Sequence, residues 1–159
     1  MMGKSLLALF GFLALSVFAA GAGSLFTPGM SPGDWYRELQ RPPGTPPNWV
    51  FGPVWTLLYT LMAVAAWRVW RTGDGSPRWR AFGLYGIQLG LNALWTPVFF
   101  GWQQPGWALV VILFLLAAIL ATNLVFLRVD RLAGMLFLPY LVWVGYASYL
   151  NAGFWILNR

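Results

Sequence analysis

The sequence predicts an all-α integral membrane bundle of five transmembrane helices, with a long proline-rich first loop. Three observations carry this reading. First, 59% of the 159 residues are hydrophobic, and 10 Lys+Arg with 4 Asp+Glu make only 14 charged residues, far below the roughly 25% of a soluble domain. Second, apolar runs close to the roughly 20 residues needed to cross a bilayer recur along the chain. Third, those runs show little period-two alternation, which argues against a β-barrel. Residues 1–159 read as one transmembrane domain.

The first run, Ser5–Gly23, follows Lys4 and ends in small residues. That pattern also fits a secretory leader with a small-residue cleavage site, but the apolar stretch is long for one, so it is taken as a retained helix. Leu25–Gly52 forms the long loop, stiffened by prolines at 42, 43, 46 and 47, which fix φ and remove backbone donors. Pro53–Trp70 is the second run, opened by a proline suited to a first helical turn. Trp79–Phe100, Gly106–Leu127 and Leu132–Leu157 complete the five, the last with Pro139 inside it.

Lysine and arginine counts on alternate sides set the orientation. Lys4, Arg68, Arg71, Arg78, Arg80, Arg128 and Arg131 fall on one side, against Arg37, Arg41 and Arg159 on the other. In a bacterial cell membrane this gives a cytoplasmic N-terminus and an outward-facing proline loop. The rule does not address an outer membrane, which stays open. The net charge of +6 reflects these flanking residues, so no nucleic-acid partner is expected.

Chemistry is narrowed by what the chain lacks. With no cysteine and no histidine, disulfides, thiol nucleophiles, imidazole bases and the usual zinc or axial haem ligands are all absent. No metal site and no required cofactor are expected. Asp34, Glu38, Asp74 and Asp130 all sit near loops, so no ionisable group lies at membrane depth, where ion-coupled transport normally needs one.

In the third run the two amides fall on one face. Gln88, Asn92, Trp95 and Phe99 are spaced i, i+4, i+7 and i+11, and buried amides must find partners, so this face points into the bundle. Gly83, Gly86 and Gly90 lie opposite, where small residues admit another helix, either within the chain or in a homodimer. Trp55, Tyr59, Met62 and Ala66 form a second stripe, and Tyr140, Trp143, Ala147 and Asn151 a third. Such stripes suit either core packing or a concave site for a flat apolar ligand. Trp70, Trp79, Trp102 and Trp107, at helix ends, read as an interfacial belt.

"PPNWVFGPVWTLLY", "QLGLNALWTPVFFG" and "LPYLVWVGYASYLN" closely resemble the translocator protein family, also called tryptophan-rich sensory proteins or peripheral-type benzodiazepine receptors. The resemblance covers nearly the whole chain. It implies a five-helix bundle, often dimeric, that binds tetrapyrroles such as protoporphyrin IX beneath the first loop. By motif matching, Trp35, Pro47, Trp49, Phe51, Trp55, Tyr59, Asn92, Trp95, Phe99, Trp143, Ala147 and Asn151 fall at ligand-lining or supporting positions. Some bacterial members are reported to degrade protoporphyrin in light, with two tryptophans matching Trp55 and Trp143. Two departures stand out. Gly44 occupies a place where members commonly carry tryptophan, and "LNAGFWILNR" lacks the tyrosine of the sterol motif found in animal members. The resemblance leaves three functions open: a tetrapyrrole sensor or regulator, a light-dependent porphyrin-degrading enzyme using Trp55 and Trp143, and a transporter of porphyrin or another hydrophobic ligand.

Overall fold

The computed structural model describes residues 2–24, 34–72 and 75–159. Helix α1 spans Met2–Ser24, α2 Asp34–Glu38, α3 Asn48–Thr72, α4 Gly75–Thr96, α5 Pro105–Val129 and α6 Arg131–Leu157. A π-helical turn, Pro97–Gly101, continues α4, and no strand occurs among the described residues. Helices α3, α5 and α6 are each long and apolar enough to cross a membrane, and Ser5–Gly21 within α1 is a shorter apolar run. Helix α4, at 22 residues, is long enough but carries Arg80, Gln88 and Asn92, which dilute its apolar character. The result is an all-helical arrangement with several apolar helices fitted to a bilayer. The first part of the expected loop, residues 25–33, lies outside the described residues.

Two element boundaries differ from the expectation. Helix α3 starts at Asn48, so Trp49 and Phe51, read as loop, ride on its first turns and Pro53 sits inside it. Proline interrupts a helix by removing the donor to the carbonyl four residues back, here that of Trp49, yet membrane helices tolerate it where neighbours re-satisfy the backbone. Helix α4 likewise starts earlier, with Pro77 in its first turn, where the missing N–H has no helical partner to lose.

Packing follows the faces seen in the sequence. Helix α5 lies along α4 and α6, α1 along α3 and α4, and α3 against α6. Met62, Ala65, Ala66 and Val69 of α3 meet Tyr85 and Leu89 of α4, Ile119 and Phe126 of α5, and Phe137, Tyr140 and Val144 of α6 in the main core. The alanines let helices approach closely without a large hydrophobic driving force. A second cluster, Tyr36, Val98, Phe99, Ala108, Leu150 and Phe154, gathers where the first loop meets the bundle. Phe10, Phe18, Phe114, Leu124 and Val142 are exposed on outer helix faces, and Trp79, Trp102 and Trp107 are exposed at helix ends. An apolar exterior of this kind matches a lipid surround.

At the opposite end, Asp130 joins three elements. Its carboxylate accepts the N–H of Ala133 at 2.9 Å, capping α6, and meets Arg68 of α3 at 2.8 and 3.3 Å. Burial alone would push this carboxyl up, but the Ala133 N–H and the Arg68 guanidinium outweigh it and hold it below the ordinary aspartate value.

Candidate functional site

Residues 40–44 of the first loop are bound to the C-terminal part of α6. Gln40 and Asn158 exchange two hydrogen bonds, at 2.9 and 3.0 Å. Pro42 rests on Gly153, where an added Cβ would come within 2.5 Å of the proline ring. A turn follows, in which Thr45 donates from its hydroxyl (2.7 Å) and its N–H (3.3 Å) to the Pro42 carbonyl. Gly44 within it has φ +85°, a conformation that glycine adopts freely. Its carbonyl accepts the hydroxyl of Tyr146, and Tyr149 donates to the carbonyl of Pro43 at 3.2 Å. On the inner side, Tyr36 of α2 is buried among Phe99, Phe100 and Phe154, with the Arg41 guanidinium 5.4 Å above its ring.

Beneath this loop lies a cavity of about 560 Å³, within the roughly 300–1,000 Å³ typical of small-molecule sites. Trp49, Phe51, Trp55 and Tyr59 reach it from α3, Asn92 and Trp95 from α4, Phe99 from the π turn, and Trp143, Ala147 and Asn151 from α6. Trp49, 75% exposed, stands at the mouth. The two remaining expected residues are not on the wall. Trp35 packs edge-on against Phe99 at 5.9 Å, and exposed Pro47 instead accepts the Val50 N–H at the start of α3 (3.0 Å). Both therefore support the wall or its entry. Among the described residues, no charged side chain lines the cavity.

Polar partners fix the wall. Tyr59 donates to Asn92 Oδ1 at 2.7 Å, and Asn92 Nδ2 donates to the Tyr140 hydroxyl at 2.9 Å. Trp95 Nε1 donates to Asn151 Oδ1 at 2.9 Å, while Asn151 Nδ2 donates to the Pro105 carbonyl at 2.8 Å. Both amides are thus spent inside the bundle, holding aromatic rings at set angles. Gln88, one turn below Asn92, is also fully buried, and its amide meets no protein partner. Trp55 lies beside Tyr59 and Tyr140, with ring centroids 5.4 and 6.1 Å apart. Phe51 stands edge-on to Trp143 at 6.0 Å. The π turn widens the end of α4 so that Trp102 N–H bonds to the Pro97 carbonyl (2.8 Å). Phe99 and Phe100 both line the cavity.

The wall also includes residues that the sequence reading missed: Tyr36, Phe100, Ile112, Leu115 and Phe154. Phe154 continues the α6 stripe at three residues from Asn151, so its spacing was a usable signal. Ile112 and Leu115 sit on the uniformly apolar first part of α5, residues 105–121, with no polar marker nearby. Gly83, Gly86 and Gly90 are exposed on α4, with open space where each Cβ would project. Among the described residues no group of three or more acidic side chains converges.

Apolar helices around an aromatic cavity, closed by a tethered loop, define a cavity-bearing helical membrane protein. The model of the TspO/MBR family matches residues 12–156, and the chain belongs to that family. It is 43% identical over 145 residues to the tryptophan-rich protein TspO of Archaeoglobus fulgidus, covering 91% of this chain and 93% of that one. It is 37% identical over 154 residues to protein CrtK of Rhodobacter capsulatus, covering 96% and 94%. With the human translocator protein it shares 42% identity over 127 residues, covering 79% and 75%.

Proposed function

We propose that this chain binds a flat apolar tetrapyrrole, such as protoporphyrin IX, in the cavity and acts as a membrane sensor or regulator of porphyrin levels. In this reading α1, α3, α4, α5 and α6 are five membrane spans of one domain in a bacterial cell membrane, with the N-terminus cytoplasmic. The observation that carries the reading is the cavity of about 560 Å³ walled by Trp55, Trp95, Phe99 and Trp143 without a charged group. Aromatic faces grip a flat ring, while the hydrogen bonds among Tyr59, Asn92, Trp95 and Asn151 hold those faces in place. With neither histidine nor cysteine in the chain to serve as the usual axial ligand, haem should gain little from its iron, and recognition rests on the ring. The names "translocator protein" and "tryptophan-rich sensory protein" borne by relatives support a membrane sensory role. The same reading pairs two copies through the Gly83, Gly86 and Gly90 face of α4.

Titration of the purified protein in darkness tests this. Metal-free protoporphyrin should quench tryptophan fluorescence, and haem should bind no more tightly. Far tighter haem binding would mean that something other than the aromatic walls holds the ligand.

A second reading makes the protein a light-dependent porphyrin-degrading enzyme. It draws support from Trp55 and Trp143 lining the same cavity, where an excited pigment would find oxidisable indoles in contact. Illumination should then consume bound pigment faster than free pigment in the same detergent. Transport of porphyrin is the weaker alternative, since no charged group lines the cavity to couple an ion gradient. Flux measurements in sealed vesicles address it directly.

A further inference from the structure

Trp55 and Trp143 line one cavity but have different aromatic neighbours. Beside Trp55 stand Tyr59 and Tyr140, and both phenols are enclosed. Tyr140 is fully buried, and Tyr59 gives its hydrogen to the Asn92 amide oxygen. A phenol gives up an electron readily only if its proton can leave at the same time; an amide oxygen is too weak a base to take it, so the proton must reach water, which buried Tyr140 and, behind a filled cavity, Tyr59 do not meet. An oxidised Trp55 therefore has no exit through these rings.

Trp143 leads elsewhere. Its ring centroid is 6.2 Å from that of Tyr146, and Tyr146 stacks at 6.1 Å on Tyr149 with an interplanar angle of 29°. The three residues are spaced i, i+3 and i+6 on α6, so they follow one another along a single helix flank. Tyr146 is held by its bond to the Gly44 carbonyl and is absent from the cavity wall. Tyr149 is 51% exposed beside the first loop. The chain of rings thus begins in the cavity and ends at the surface.

We propose that Trp143, Tyr146 and Tyr149 form a relay that carries an oxidising equivalent from the cavity to the outside of the protein. The proposal rests on the light-dependent reading given above, and the oxidant is the photo-excited tetrapyrrole. That pigment takes one electron from the Trp143 indole, giving a pigment radical anion and an indole radical cation. Tyr146, half-buried beside the loop, returns an electron to Trp143 as its phenolic proton passes to water, and it takes a proton back from water when Tyr149 returns an electron to it. Tyr149 releases its phenolic proton to water and remains as a neutral phenoxyl radical. The balance is one electron gained by the pigment, one electron lost by Tyr149 and one proton released. A water-soluble one-electron reductant of the ascorbate class, supplying an electron with a proton from water, restores the phenol. Separating the hole from the pigment anion slows their recombination, which is what Trp143 in the wall needs if its oxidation is to be productive.

The test is flash excitation of the full-length protein with bound protoporphyrin IX, read by transient absorption and electron paramagnetic resonance. In the unaltered protein an indole radical should decay as a tyrosyl radical rises, and added ascorbate should remove the tyrosyl signal. Tyr149→Phe, which removes the solvent exit, should abolish the long-lived tyrosyl signal and prolong the indole radical. Tyr146→Phe should do the same, with dark porphyrin affinity measured to verify that the cavity is intact. If Tyr146→Phe disturbs binding, Tyr149→Phe alone decides. A tyrosyl signal that survives in the Tyr146→Phe/Tyr149→Phe double variant, or an indole radical in the unaltered protein that decays without any tyrosyl rise, overturns the relay. Absence of any protein radical in the unaltered protein is a different result, because it removes the light-dependent reading itself and the relay with it.

Discussion

Tyr146 of α6 donates its hydroxyl hydrogen to the carbonyl of Gly44, at a turn of the first loop with a left-handed backbone (φ +85°). A Cβ on Gly44 would lie 2.9 Å from that hydroxyl oxygen. Gly44→Ala should therefore cost about 1–2 kcal/mol for the backbone conformation, plus whatever the hydroxyl loses in moving aside. The expected outcome is a lower melting temperature in detergent and faster amide exchange over residues 40–46. Adding Tyr146→Phe removes the clash together with the hydrogen bond, so the double variant should stay less stable than Tyr146→Phe by the backbone term alone. Unchanged stability in Gly44→Ala would mean that the turn relaxes freely.

Trp55→Phe and Trp143→Phe should both fold and still bind porphyrin, since phenylalanine keeps an aromatic face while losing the indole N–H and its easier oxidation. Under the light-dependent reading, pigment loss during illumination should collapse in either variant. Undiminished photodegradation in the double variant would take both residues out of that chemistry.

Gly86→Leu with Gly90→Leu fills open space on the outer face of α4. Glycine weakens a helix by about 1 kcal/mol relative to alanine, so a lipid-facing glycine pair gains nothing unless a partner backbone approaches. The double variant should run as a monomer in mild detergent while porphyrin quenching persists. Full crosslinking of the variant would assign the homodimer to another surface.

Asp130 gives a pH-dependent contribution with a definite sign. Its carboxyl is held below the ordinary aspartate value because the Ala133 N–H and Arg68 together outweigh the effect of burial. The folded state therefore binds its proton less readily than the unfolded chain. The stabilisation is fully present above the unfolded value and is lost as pH falls through the lower folded one. The stability gap between the unaltered protein and Asp130→Asn should be flat above about pH 5 and close on further acidification. Asp130→Ala also removes the cap of α6 and should cost about 1 kcal/mol more than Asp130→Asn. A gap that widens in acid would refute this assignment.

Much of the site was legible because polar residues in apolar runs are few and must face inward. Asn92, Trp95 and Phe99 declared one face of α4 by spacing alone, and Trp143, Ala147 and Asn151 did the same for α6. Helix α5 carried no such marker along its cavity-facing stretch, so Ile112 and Leu115 could not be told from its lipid-facing leucines. The start of α3 was misread because Pro53 resembles a helix opening. Only the tertiary setting shows a helix running through it from Asn48. Trp35 and Pro47 came from motif resemblance, which marks a neighbourhood but does not separate the wall from its supports. The role of Gly44 was hidden because its partner, Tyr146, lies 102 residues away.

The contacts that seat residues 40–44 of the first loop come from one stretch of one helix and its end: Tyr146, Tyr149, Gly153 and Asn158. Loop and tail are consequently a single mechanical body. If an occupant of the cavity binds more tightly when the loop is seated, then seating must favour the occupant by the same factor. Trimming Asn158 would then weaken a ligand it never touches, and a filled cavity would shield the tail from proteolysis. The last turn of the chain is in that sense a gauge of what the cavity contains.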